Sequence, residues 1–157
     1  MRTIITILFS FLLCNNILCQ EVKDNFLGCH FNMKKADVLK VLDSQNHQFV
    51  VHDNMIDIKG ISLNGYEFSF LRFYFNSIGL YRATFIYEVT DPKKDNKTFT
   101  EIKILLENKY YKADINEDYF HYFDGIRTIT WVNMDKQYWL MYCDLEGEEL
   151  YEDENNF

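Results

Sequence analysis

The residues able to perform acid–base, nucleophilic or metal chemistry are few and are scattered along the chain. The four histidines, His30, His47, His52 and His121, lack the spacings that hold a metal ion. Cys29 adjoins His30, but adjacent residues of a strand point to opposite faces, so the two cannot form the hydrogen-bonded dyad of a thiol nucleophile. We therefore predict no catalytic residue, no metal site and no cofactor.

Two acidic groupings deserve comparison with known chemistry. Residues 114–118 alternate oxygen ligands as a calcium loop does, but Tyr119 stands where that loop needs glycine and Gly125 where it needs glutamate. Asp53 and Asp57 have no spacing that fixes the separation of an acid–base pair. We predict that neither grouping forms a site.

The N-terminus has the pattern of a secretion signal. Arg2 precedes an apolar run over residues 4–13, which is too short for a stable membrane anchor and suits a signal peptide. We predict a signal peptide over residues 1–19 and a secreted or periplasmic bacterial protein without a membrane span after cleavage. Lipidation at Cys19 and a retained anchor are the alternatives, although a lipidation motif expects a residue smaller than Leu18 directly before the cysteine.

Cleavage would leave two of the four cysteines, Cys29 and Cys143. In an oxidising compartment such a pair favours a disulfide, which would stabilise the fold by about 4–5 kcal/mol in the chain-entropy model because the closed loop is long. The alternative is two separately buried thiols, which behave as small apolar side chains. The sequence gives no distance between the two, so both interpretations stay open.

Negative charge is concentrated at the C-terminal end. Seven of the 24 acidic residues, and none of the 16 basic ones, lie from Asp144 onward. We predict one nearly neutral domain over residues 20–145 and a solvated acidic tail over residues 146–157. A chain with this balance lacks the basic patch that nucleic-acid phosphates need, so we predict no nucleic-acid partner.

Hydrophobic periodicity predicts a first block of one helix and four strands. The helix starts after Asn32, and its apolar stripe includes Val38 and Leu42. Two short strands flank Asp53-Asn54, residues 60–65 form a turn, and a long aromatic hairpin pairs residues 66–75 with residues 80–89.

The second block is predicted as one helix and three strands. After a polar loop over residues 90–97, Thr98 and Glu101 have the spacing of a capping box that begins the helix. A loop over residues 111–118 follows it, and the predicted strands cover residues 119–122, 126–132 and 137–143. Together the two blocks predict an α+β fold with two helices packed on one face of a mostly antiparallel sheet. The order of a helix followed by strands occurs twice, which is a weak tandem repeat.

The opening of the first block carries a resemblance to known proteins. Its residues are Phe26-Leu27-Gly28, Phe31, Met33-Lys34-Lys35, Asp37-Val38 and Val41-Leu42. This opening resembles the start of many small secreted proteins of Bacteroidetes-type bacteria, mostly of unknown function. The repeated helix-then-meander layout is similar to the β-lactamase-inhibitor-like fold, whose single-unit relatives include outer-membrane assembly lipoproteins of the SmpA/OmlA type. The resemblance implies a curved sheet that grips a protein or peptide, and it implies no catalytic residues.

The strands carry more aromatic surface than one buried face requires. Helices on one face would cover only half of it, so we predict that the other face binds a protein or peptide partner. The candidate contact residues are Tyr66, Tyr74, Tyr81, Tyr87, Trp131, Tyr138 and Tyr142. The alternatives for that face are cover by loops or a dimer partner, or a bulge that shifts the alternation. An envelope-associated lipoprotein or structural accessory protein, and a secreted hydrolase with an unrecognised site, are the alternative functions.

Overall fold

Helices and strands follow one another in two similar blocks. The computed structural model describes residues 25–115, 119–124, 127–134, 136–147 and 149. The predicted signal peptide and most of the predicted acidic tail lie outside this part of the chain. The first block comprises α1 (Lys35–Ser44), β1 (Phe49–Val51), β2 (Met55–Leu63), β3 (Tyr66–Phe75) and β4 (Leu80–Glu88). The second comprises α2 (Pro92–Lys109), β5 (Tyr111–Ile115), β6 (Tyr119–Phe123), β7 (Arg127–Met134) and β8 (Gln137–Asp144).

The eight strands form one antiparallel sheet in the order β1-β2-β3-β4-β8-β7-β6-β5. Each block is an antiparallel meander, and the two meanders join where β4 pairs with β8 from Arg82↔Cys143 to Glu88↔Gln137. The prediction of an α+β fold with an antiparallel sheet is confirmed. The second block has four strands, so the prediction of three was wrong: Tyr111–Ile115, predicted as a loop, pairs with β6.

The hairpin of β2 and β3 is longer than predicted and bends within its length. Its turn is Asn64-Gly65, where both residues have positive φ, as a two-residue turn of type I′ requires. Gly60 therefore lies inside β2, at φ +64, and the buried positions shift there from Ile58 to Ile61. On the paired strand β3 the buried positions shift in the same way, from Phe68 to Leu71. The strict alternation predicted from the sequence therefore fails across this bend.

Helix α2 packs its aromatic and apolar side chains against the second meander and the end of β4. The ring of Phe99 lies 4.9 Å from that of Trp131 and 4.7 Å from that of Tyr138. The cross-strand register assigns Trp131, Tyr138 and their row neighbours to one side of the sheet, which we call the helix face. Its central members are Ile56, Ile58, Leu71, Phe73, Ala83, Phe85, Tyr87, Phe120, Tyr122, Ile129, Trp131, Tyr138, Leu140 and Tyr142.

One buried cluster unites the helix face with residues of both helices. Val38 and Leu42 of α1 and Ile102 and Leu106 of α2 belong to it, together with helix-face side chains from both meanders. Burial of this kind stabilises the fold by about 25 cal/mol for each Å² of apolar surface removed from water. The cluster omits Tyr81, which is also buried.

Helix α2 begins at Pro92, six residues before the predicted start. Asp91 is its N-cap and accepts hydrogen bonds from the backbone N–H groups of Lys93 and Lys94, and Pro92 occupies the first helical position, where its missing N–H costs nothing. Thr98 lies inside the helix, and its hydroxyl donates to the Lys94 carbonyl. The capping-box prediction at Thr98 was therefore wrong, because the Asp-Pro pair upstream provides the helix start.

Asp95 fixes the start of α2 to the end of β4. Its carboxylate is fully buried and accepts hydrogen bonds from the Tyr87 hydroxyl and from the backbone N–H groups of Thr90 and Asp91, each at 2.7 Å. The Tyr87 hydrogen bond, aided by the two backbone donors, holds the pKa of Asp95 below its usual value against the opposing effect of burial.

We expect an Asp95→Asn variant to lose about 1–3 kcal/mol of unfolding free energy at neutral pH, because an amide N–H₂ group then faces hydrogen-bond donors. Since the native pKa is lowered, the carboxylate stabilises the fold above pH about 4, and this contribution is lost as the pH falls toward the native pKa. Urea unfolding at several pH values measures both effects. The exposed Asp43→Asn change is the control. Equal acid sensitivity in wild type and Asp95→Asn would contradict this role.

Candidate functional site

Three of the seven predicted contact residues are held beneath α2. Trp131 is fully buried, and its indole N–H donates to the Phe99 carbonyl at 3.0 Å. The Tyr138 hydroxyl donates to the side-chain oxygen of Asn96, and the Tyr87 hydroxyl donates to Asp95. These three residues therefore belong to the core between α2 and the sheet.

Tyr66 and Tyr142 also lie on the helical side of the sheet, but away from Trp131 and Tyr138. The Tyr66 hydroxyl is 3.4 Å from a carboxylate oxygen of Glu101. The Tyr142 ring packs against Phe26 and Phe85, with ring centroids 5.4 and 6.2 Å apart. Burial is the main cause of a raised pKa at Tyr142, so its hydroxyl is protonated at neutral pH.

The last two, Tyr74 and Tyr81, flank an arginine. The guanidinium carbon of Arg82 lies 5.4 Å from the ring centroid of each tyrosine, within the range of a cation–π contact. Tyr74 is partly exposed, but Tyr81 is only 1% exposed. Gly147 packs closely on it: a Cβ at position 147 would lie 2.5 Å from that of Tyr81. The seven residues thus do not form one continuous surface.

The side of the sheet away from the helix face carries its own set of polar and aromatic residues. The register aligns them in rows that cross both meanders, and we call this surface the opposite face. Its members are Asp57, Phe70, Arg72, Tyr74, Arg82, Thr84, Ile86, Tyr119, His121, Phe123, Thr128, Thr130, Val132, Trp139, Met141 and Cys143. The buried cluster that includes residues of both helices contains none of them.

A bidentate ion pair occupies the first meander on the opposite face. Arg72 donates from Nε and Nη2 to the two carboxylate oxygens of Asp57, at 2.6 and 2.8 Å. The hydrogen bond from Arg72 lowers the pKa of Asp57, and His52 lies 3.5 Å from the same carboxylate. The two parallel hydrogen bonds hold the Arg72 guanidinium in one orientation.

The second meander contributes a polar pair and a large indole. Thr130 Oγ1 and His121 Nδ1 lie 2.9 Å apart on adjacent strands. Trp139, which lies opposite Ile86 of β4 and Val132 of β7, is partly exposed, and its indole N–H donates to the Gln137 side chain. Sequence reasoning did not select Trp139, although its place between Tyr138 and Leu140 puts it on the other side of the strand.

Cys29 is not arranged as a nucleophile. It is fully buried, and burial raises the pKa of its thiol to about 11, so it stays protonated at neutral pH. The neighbouring His30 is exposed, with Nδ1 at 2.9 Å from the Phe31 carbonyl. Within the described residues, no group of three or more His, Cys, Asp or Glu side chains is close enough to hold a metal ion.

Cys29 and Cys143 are both buried, and no disulfide joins them. Cys29 belongs to the cluster on the helical side, whereas Cys143 lies on the opposite face, across from Arg82 and Thr128. The sheet itself separates the two sulfurs, so of the two interpretations left open by the sequence, the one with separately buried thiols applies.

Comparisons with protein-family models, with curated proteins and with solved structures found no match. The resemblance to the β-lactamase-inhibitor-like fold therefore stays a prediction. Among the helices of the described segments, none combines the length and the apolar composition needed to cross a bilayer.

We expect Cys29 to react with iodoacetamide at least about a hundredfold more slowly in the folded protein than in urea at pH about 8, because few of its thiols are ionised and none is exposed. Mass spectrometry of the alkylated protein measures this rate. Alkylation in urea without reductant, compared with alkylation after reduction, is the control. A peptide linked through Cys29 and Cys143 in the unreduced sample would contradict the structure.

Proposed function

We propose that this chain is an exported, non-enzymatic binding module that engages a protein or peptide through the opposite face. The export part of the proposal rests on the signal-peptide pattern of residues 1–19. The binding part rests on the arrangement of side chains on the sheet.

The observation that carries the proposal is the set of partly exposed aromatic and arginine side chains on the opposite face. Tyr74 and Arg82 lie on adjacent strands in the first meander, and Trp139 lies on β8 of the second. Trp, Tyr and Arg are the residue types that contribute most to binding at protein interfaces. They lie on strands at the middle of the sheet, where Thr84, Ile86 and Cys143 of the same face are buried, so the contact would be made by the partly exposed Tyr74, Arg82 and Trp139.

Contacts within the chain already hold two arginines of the opposite face in place. Cation–π contacts position Arg82, and a bidentate carboxylate pair positions Arg72. Ordering a long side chain on binding costs about 0.5–1.5 kcal/mol, so a surface ordered in advance loses less of its interaction energy. A rigid sheet with fixed side chains therefore suits binding.

The experiment uses the chain as bait in an extract of the organism that encodes it. We expect the double variant Tyr74→Ala with Trp139→Ala to lose at least about tenfold in affinity for a captured partner, because two anchors of the contact are removed. Titration of the purified partner by calorimetry measures the loss.

The matched control is Leu105→Ala, which removes an exposed apolar side chain from α2 and leaves the sheet unchanged. Circular dichroism must find each variant folded. A partner that binds the double variant and the wild type equally well, or that is lost with Leu105→Ala alone, would overturn the proposal.

A further inference from the structure

A cavity of about 270 Å³ lies on the helical side of the sheet, where the two meanders meet. Phe85 of β4 and Tyr142 of β8 line it from the central strand pair, and Leu27 lines it from the segment before α1. The tip of the β2–β3 hairpin and the end of α2 complete its walls. Small-molecule sites are often found at such junctions between structural units.

The cavity has an apolar floor and a polar rim. Leu71 is fully buried and Phe85 is 3% exposed, whereas the rim residues Asn25, Asn64 and Lys109 are exposed. Apolar surface at the bottom would hold the body of a ligand, and the rim would face water. The volume equals that of about nine water molecules at the density of the liquid, which places the cavity at the small end of ligand sites.

The ionisable groups that line the cavity are unusual for so acidic a chain. Its formal net charge is −8, yet the lining residues in the described part of the chain include two cations, Arg127 and Lys109, and no carboxylate. Arg127 is 7% exposed and forms an ion pair with Asp124, which lies outside the lining, at 2.7 Å. Tyr110 and Tyr142 contribute their side chains to the lining. Two cations and two tyrosines thus supply hydrogen-bond donors to a cavity whose floor is apolar.

The wall nearest the N-terminal segment is held in an uncommon conformation. Phe26 and Cys29 exchange both backbone hydrogen bonds, and the two residues between them have positive φ, +57 at Leu27 and +79 at Gly28. This turn normally uses asparagine or aspartate where Leu27 stands, and a left-handed leucine costs about 1–2 kcal/mol. Leu27 adopts this strained conformation, and its side chain lines the cavity. Strained backbone of this kind is often found at ligand sites.

We propose that this cavity binds a small amphipathic carboxylic acid. The apolar body, of roughly ten non-hydrogen atoms, lies on Leu71 and Phe85. The carboxylate accepts hydrogen bonds from donors among Arg127, Lys109 and the two tyrosines. The site is on the other side of the sheet from the proposed protein-binding surface and does not depend on it.

The test is a calorimetric titration of the full folded chain with hydrocinnamate, and with hydrocinnamide as its neutral isostere. We expect hydrocinnamate to bind with a millimolar or lower dissociation constant and the amide to bind about tenfold more weakly, since the amide forms no charge-assisted hydrogen bonds.

Two variants locate the binding. Leu63→Trp fills the cavity from a partly exposed position and should abolish binding of hydrocinnamate. Lys109→Gln removes one cation of the rim and should weaken binding by about threefold or more. Lys97→Gln makes the same charge change near the other end of α2, and we expect it to leave the affinity unchanged.

Circular dichroism and unfolding in urea establish that each variant is folded before its titration is interpreted. Equal affinity for the acid and the amide would overturn the assignment of a carboxylate ligand. If neither probe binds, or if hydrocinnamate still binds to a folded Leu63→Trp variant, the proposed site is overturned.

Discussion

The pairing of β4 with β8 is the constraint on which the rest of the structure depends. Each meander alone would end in an unpaired edge strand, β4 in the first and β8 in the second. Joining the two edges satisfies the backbone groups of both strands and gives the helices one shared core. The same pairing makes the rows of the opposite face continuous and brings Phe85 beside Tyr142 at the cavity. Both candidate sites are therefore products of one long-range contact.

Asp95 fixes the short connection between β4 and α2, which this pairing also requires. Strand β4 ends at Glu88, and the chain must turn at once into α2 if the helix is to cover Trp131 and Tyr138. A buried carboxylate that accepts hydrogen bonds from Tyr87 of β4 and from two backbone N–H groups of the intervening segment fixes this turn. A buried charge is costly unless its hydrogen bonds are satisfied, so the geometry of the turn is closely determined.

Local signals predicted local structure well. The hairpin from Tyr66 to Glu88 follows from aromatic and β-branched strands around a polar turn, and α1 follows from apolar residues at helical spacing. The start of α2 was predictable too, since Asp91 before Pro92 is a helix-start signal that Thr98 and Glu101 obscured. Strand β5 was not predictable, because its place in the sheet depends on pairing with β6 rather than on its own pattern.

The candidate site was harder to predict because side-chain direction is set by contacts distant in sequence. The bend at Gly60 reverses the alternation of β2 and β3, so Tyr66 and Tyr74 lie on different sides although their spacing predicts one. Tyr138 and Trp139 are equally aromatic, and only the position of α2 decides which of them is core. On β8, Tyr142 lines the cavity while Met141 and Cys143 belong to the opposite face. The two proposed sites share no side chain, so a coupling free energy between them would require a displacement of β4 or β8, which close packing of the core resists.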